Sequence, residues 1–131
     1  MINLITPKKL GRTSISLTQI GLGCAPIGDL FVTMTEENAQ EILQTSWDKG
    51  IRYFDTSPFY GHGKSEHRLG HFLRVKHRQE FVVSTKVGRI LQPTKRKCDV
   101  NGGDWSDPLP FNLQFDYSYD GIMRSYEDSL Q

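Results

Sequence analysis

The sequence predicts an α/β protein built on a parallel sheet, and three kinds of observation point there. Short apolar or β-branched runs end at Cys24, Asp55 and Lys86. Between them lie stretches whose apolar residues recur at helical spacing. Capping residues open those stretches, and Gly50 follows the first of them. Strands alternating with helices in this way pack as a parallel sheet covered by helices.

Leu10–Thr18 contains two short extended runs around Gly11 and Ser14, the pattern of a small hairpin. Gln19–Cys24 sets Ile20 and Leu22 between glycines, as in a buried strand. Thr35 can cap a helix whose first turn holds Glu36 and Glu37, at the positive end of the dipole. Ala39, Ile42, Leu43, Ser46 and Trp47 then share one helical face, and Gly50 supplies the residue that ends it. Ile51–Asp55 is a second strand. Ser65 is expected to cap a second helix with Leu69, Phe72 and Leu73 inward. Phe81–Lys86, F-V-V-S-T-K, is a third strand rich in β-branched residues.

From Gly88 to Tyr117 the chain is dense in Pro, Gly, Asp and Asn, with Trp105 and Phe111 inside. It reads as a long loop that shapes a pocket, where the two aromatic rings either stack on a substrate or anchor the loop. Ser118 caps a third helix with Ile122, Met123, Tyr126 and Leu130 on one face. Two architectures accommodate this order, an open doubly wound sheet and a β/α barrel. Neither is finished by these elements. The expectation is therefore that residues 1–131 form the front part of a larger unit: a hairpin, three βα units and the long loop 88–117.

Bulk properties remove several function classes. Sixteen Lys+Arg against 15 Asp+Glu give a formal charge of +1, so no long-range field favours nucleic acid or an anionic membrane. The opening M-I-N-L-I-T-P-K-K lacks an apolar leader core, and no run of ~20 apolar residues follows, so a cytoplasmic location is expected. Cys24 and Cys98 match neither a disulfide framework nor a metal spacing, and are expected as reduced thiols.

Gly63-Lys64-Ser65 imitates the end of a phosphate-binding loop, but Pro58 stands where that loop needs glycine and a backbone N–H. Gly21-Leu22-Gly23-Cys24-Ala25-Pro26 likewise has proline where the dinucleotide fingerprint needs its third glycine. His67 and His71 stand four apart on a predicted helix without a third ligand, so a solvated face is expected there and no metal site.

In parallel β/α folds, reactive groups gather at the carboxyl ends of strands. Asp55 ends the second strand, Lys86 ends the third, and Tyr60 follows Asp55 in a loop. Free tyrosine ionises near pH ~10, too high for proton exchange at neutrality, and an adjacent ammonium favours its phenolate. A carboxylate bonded to the lysine fixes that ammonium. Such a phenol can give a proton to a carbonyl oxygen or take one from an alcohol. Each residue alone also has an ordinary role, as a turn cap, as loop packing or as a solvated lysine.

The chain resembles the N-terminal portion of the aldo-keto reductases. The motifs are K-K-L-G-R-T-S-I-S-L-T-Q-I-G-L-G at 8–23, D-K-G-I-R-Y-F-D-T-S-P-F-Y-G at 48–61, K-S-E-H-R-L-G at 64–70 and F-V-V-S-T-K-V-G-R at 81–89. F-D-Y-S-Y-D-G-I-M-R-S-Y-E-D-S-L-Q resembles the branch holding aldose, fucose and pyridoxal dehydrogenases. The resemblance implies a (β/α)8 TIM barrel with an N-terminal β-hairpin, incomplete within this chain. It also implies NADP or NAD as cofactor and hydride transfer to or from an aldose or small carbonyl substrate. It assigns Asp55, Tyr60 and Lys86 to catalysis, and Gly23, Cys24, Ala25 and Asp55 to the nicotinamide end of the cofactor, with Cys24 as a small wall residue. The family histidine is expected beyond Gln131, and the remainder of the barrel is needed for completion. A catalytically inactive segment and a redox-sensing or interaction module are the alternative readings.

Overall fold

A computed structural model of the chain describes residues 5–95 and 104–131. Pro7–Lys9 (β1) pairs antiparallel with Ser16–Thr18 (β2), Pro7 opposite Thr18. The hairpin thus begins before the predicted Leu10, and residues 10–15 form its turn. The Leu10 N–H donates to Ile15 O at 2.8 Å, and the Thr13 hydroxyl donates to Leu10 O at 2.7 Å.

Leu22–Gly23 (β3), Tyr53–Asp55 (β4) and Val82–Ser84 (β5) form a parallel sheet in the order β3-β4-β5. Glu36–Asp48 (α1) connects the first two and Lys64–Leu73 (α2) the second two. Thr35 caps α1 as predicted, its hydroxyl oxygen accepting from the Asn38 N–H at 3.2 Å. Ala39, Leu43 and Trp47 are buried, while Ile42 is 36% exposed, so the inner stripe is narrower than predicted. Trp47 meets Phe72 and Phe81 edge-on at centroid distances of 6.0 and 6.3 Å, locking α1 onto α2 and the approach to β5.

The predicted cap of α2 moves. The helix opens at Gly63, at φ +95°, and Ser65 lies inside it, fully buried. Its hydroxyl donates to Cys24 O at 2.8 Å and lies 2.9 Å from Thr56 Oγ1, so it rivets the helix to the sheet.

Residues 88–117 also differ from the expected loop. Arg89–Pro93 (β6) pairs antiparallel with Phe111–Phe115 (β7), Arg89 opposite Phe115 and Pro93 opposite Phe111. The prolines and polar residues between the two strands hid this ladder, and Pro93 marks its end. Cys98 lies outside the described residues.

Tyr119–Asp128 (α3) is capped by Ser118, whose hydroxyl oxygen accepts from the Gly121 N–H at 3.1 Å. The helix docks through its small residues, the Ser125 hydroxyl donating to Arg89 O at 3.1 Å. The predicted apolar face is largely open: Met123, Tyr126 and Leu130 are 38%, 46% and 68% exposed. Tyr126 and Leu130 border a groove of about 620 Å³ with Leu73, Phe81 and Val83. Among the described residues β5 pairs only with β4, and no helix is long and apolar enough to cross a membrane.

Candidate active site

Strand register assembles the site. Gly23 lies opposite Asp55, and Asp55 opposite Ser84. Side chains alternate between faces with period two, so Tyr53, Asp55, Ser84 and Lys86 share one face. Phe54 and Thr56 turn to the helices and are buried. Ser84 donates its hydroxyl proton to Asp55 Oδ1 at 2.6 Å, and the Tyr53 hydroxyl, 3.0 Å from Ser84 Oγ, therefore donates to it. Lys86, two residues past the end of β5, donates to Asp55 Oδ2 at 2.7 Å and to Thr56 O at 2.9 Å.

Tyr60 stands on the same rim. Its ring centroid is 4.8 Å from Lys86 Nζ and 5.6 Å from the Trp105 ring. Backbone holds its loop: the Tyr60 N–H donates to Ser57 O at 3.0 Å, and Tyr60 O accepts from the Ser65 N–H at 3.1 Å. A Cβ added at Gly28 would come within 2.8 Å of the Tyr60 carbonyl carbon, and one at Gly61 would strike Gly28 O. Only glycine permits that approach at Gly61, which is also at φ +63°.

Opposed effects set the charges. Burial alone would raise the Asp55 pKa, but bonds from Lys86 and Ser84 and the Lys86 charge outweigh it and hold the carboxyl below its usual range. Burial works against the Lys86 ammonium too, and the bonds and charges of Asp55 and Tyr60 outweigh that, raising its pKa. The aspartate and lysine are thus an ion pair across the neutral range, in a pair 38% and 47% exposed.

Cys24 is placed differently from the other residues of its segment. Its side chain is fully buried on the helix side, and burial, reinforced by the Asp55 charge, pushes its thiol up to about 12. It is a protonated core residue with no exposed surface. Gly23, by contrast, is open: an added Cβ would meet nothing within 4 Å, on the face that carries Asp55. Ala25 is half-buried beside it.

Glu66 links the rim to α3. Thr85 donates to its Oε1 at 2.7 Å, and burial raises its pKa over the lowering effects of Thr85, Ser129, His67 and Lys86. A carboxyl with a raised folded-state pKa stabilises the fold below its unfolded value near ~4.3, and that stability is lost as pH rises through the folded value. Glu66→Gln should therefore gain stability relative to the parent as pH increases across this window. Denaturant midpoints from acid to neutral pH test this, and parallel curves would refute it.

Sequence reasoning missed Ser84, legible only once Asp55 and Ser84 are known to pair, and missed Arg89 and Tyr117. Those two line a cavity of about 280 Å³ together with Ser57, Tyr60, Lys86 and Val87. Trp105, 4% exposed and edge-on to Phe59 at 5.2 Å, anchors its segment and offers no stacking face to that cavity. His67 and His71 are exposed on α2, and no group of three His, Cys, Asp or Glu suited to a metal occurs among the described residues.

A parallel sheet with helical crossovers, an antiparallel hairpin ahead of it and ionisable groups on its carboxyl rim is the opening segment of a β/α barrel. The family model described as "Aldo/keto reductase family" matches residues 19–131, and the chain belongs to that family. It is 45% identical over 133 residues to pyridoxal 4-dehydrogenase from Microbacterium luteolum, covering 95% of this chain and 38% of that protein. It is 40% identical over 130 residues to D-threo-aldose 1-dehydrogenase from a Pseudomonas species, covering 96% and 39%. An aldo-keto reductase from Bacillus halodurans, solved in its holo form, matches with a TM-score of 0.70 and 26% identity over 95% of this chain and 35% of that one. The chain thus spans about two-fifths of the length of these curated relatives.

Proposed function

We propose that this chain carries the proton-transfer half of a nicotinamide-dependent oxidoreductase that interconverts an aldose or small aldehyde with its oxidised or reduced partner. The observation that carries the reading is Lys86 Nζ, held 2.7 Å from Asp55 Oδ2 and 4.8 Å from the Tyr60 ring centroid on one rim. Family membership and the two dehydrogenase relatives support the substrate class.

The roles follow from charge. As hydride reaches the carbonyl carbon, negative charge grows on its oxygen, and the Tyr60 hydroxyl gives that oxygen a proton. Lys86 stabilises the phenolate left behind, and Asp55 and Thr56 O hold Lys86 in place. In the oxidative direction Tyr60 takes the proton from the alcohol. The rim fits a nicotinamide dinucleotide at Gly23, where backbone lies open on the Asp55 face. Gly23, Ala25 and Asp55 would hold its nicotinamide end, with Cys24 contributing backbone only. When bound, NAD or NADP supplies or accepts the hydride.

The test uses the complete natural protein, because this chain spans 38% and 39% of those two relatives. Aldoses and pyridoxal with oxidised NAD or NADP should yield reduced nicotinamide, followed by its absorbance. Absence of turnover with either nicotinamide on every sugar and aldehyde tried would favour an inactive or sensing role.

A further inference from the structure

Arg89 has an environment that the proton-transfer chemistry does not use. It opens β6 directly opposite Phe115, so the two side chains project from the same face of the ladder. Its guanidinium carbon lies 3.7 Å from the Phe59 ring centroid and 4.8 Å from that of Phe115. Rings stacked on a guanidinium fix its plane and leave its N–H edges free for in-plane bonds. Among the described residues the Arg89 side chain forms no ion pair and donates no hydrogen bond.

Arg89 also lines the cavity of about 280 Å³ that holds Tyr60 and Lys86, at the small end of ligand-pocket sizes. Two cations therefore border that cavity, and only one is neutralised. Lys86 is paired with Asp55, whereas the guanidinium of half-buried Arg89 has no paired carboxylate among the described residues. The other walls include Pro58, Val87 and Tyr117, which suit a small planar or aliphatic body. An oriented guanidinium beside such walls is suited to an anionic oxygen: it can bind a carboxylate through two parallel N–H bonds, or an ionised hydroxyl through N–H bonds converging on its one oxygen.

We propose that Arg89 is a specificity-determining residue, selecting carbonyl substrates that carry an anionic oxygen, either a carboxylate or an ionised aromatic hydroxyl. The proposal rests on the reading of Tyr60 and Lys86 as the proton-transfer pair, and names the substrate class of that same site.

The experiment measures reduction of three aldehydes by the complete natural protein with reduced nicotinamide. These are 4-carboxybenzaldehyde, salicylaldehyde at a pH where its hydroxyl is ionised, and uncharged benzaldehyde as reference. Charge-assisted bonds predict that Arg89→Met lowers the kcat/KM ratio of an anionic aldehyde to benzaldehyde by about tenfold to a hundredfold, mainly through KM. Arg89→Lys, which keeps charge but loses the planar fork, should recover part of the ratio. A fall confined to one anionic aldehyde identifies carboxylate or hydroxyl as the recognised group. Should Arg89→Met misfold, benzoate and benzamide decide the matter in the unmodified protein. Benzoate must then inhibit benzaldehyde reduction at least about tenfold more tightly than benzamide, a difference of one charge-assisted bond. An unchanged ratio, or equal inhibition by the two, overturns the role of Arg89 while leaving hydride transfer standing. Failure to reduce any of the three aldehydes overturns the underlying reading as well.

Discussion

Tyr60→Phe in the complete natural protein is expected to lower kcat by about a hundredfold to ten-thousandfold, the usual contribution of a positioned acid or base. The substitution removes one oxygen and leaves the ring, so the contacts with Trp105 at 5.6 Å and with Lys86 at 4.8 Å persist. Nicotinamide binding, followed by fluorescence titration, should stay within about threefold, because the residues assigned to it lie on β3, in the segment just after it and at the end of β4. The combination is diagnostic. A turnover defect with intact cofactor binding isolates the proton step, whereas loss of both would indicate a collapsed rim. Undiminished kcat would remove Tyr60 from the mechanism.

The second large effect is on stability. Asp29 is fully buried, at φ +66°, and accepts from Lys64 Nζ at 2.7 Å, Arg68 Nη1 at 2.8 Å and the Met34 N–H at 3.1 Å. Arg68 continues to Glu36 at 2.8 Å and to the carbonyls of Ile27 and Met34. Lys64 continues to Asp107 at 2.8 Å. One carboxylate thus joins the segment after β3 to α2, and through Lys64 to the segment leading into β7. Asp29→Asn preserves shape and tolerance of the left-handed region but leaves two nearly buried cations short of a counter-charge. Breaking such a pair costs about 3–5 kcal/mol. Denaturant titration should show that loss near neutral pH. Burial opposes the Asp29 charge, yet the Lys64 and Arg68 bonds prevail and its pKa is lowered. A depressed carboxyl stabilises above its unfolded value near ~3.9, and that stability is lost as pH falls through the folded value. The parent and Asp29→Asn curves should therefore converge in acid. A constant gap, or a loss under ~1 kcal/mol at neutrality, would contradict the network's importance.

What the sequence disclosed depends on whether a signal is local. Thr35 and Ser118 cap their helices as their spacing predicted, because a cap needs only the next three residues. Asp55, Tyr60 and Lys86 could be placed on one rim from the alternation of strand and helix alone. Ser65 was misplaced since its hydroxyl serves partners 41 and 9 positions away, Cys24 and Thr56, and Gly63 opens the helix instead. The β6–β7 ladder escaped because its strands are separated by a polar, proline-bearing stretch that outweighs two five-residue runs. Arg89 and Tyr117 were lost with it. The apolar stripe of α3 was legible as a pattern, but periodicity reports a face and says nothing about what covers it.

Where Gly28 meets the Tyr60–Gly61 peptide, main chain rests against main chain with no room for a spacer. The main chain that carries the phenol is accordingly machined into the scaffold, so its root is fixed by backbone and only the side chains around the ring bear on its reach. Diversification of such a site is channelled into the removable cladding, the ribbon bearing Arg89 and the residues leading to Tyr117. An engineer seeking new selectivity should rebuild that ribbon and leave the paired glycines alone.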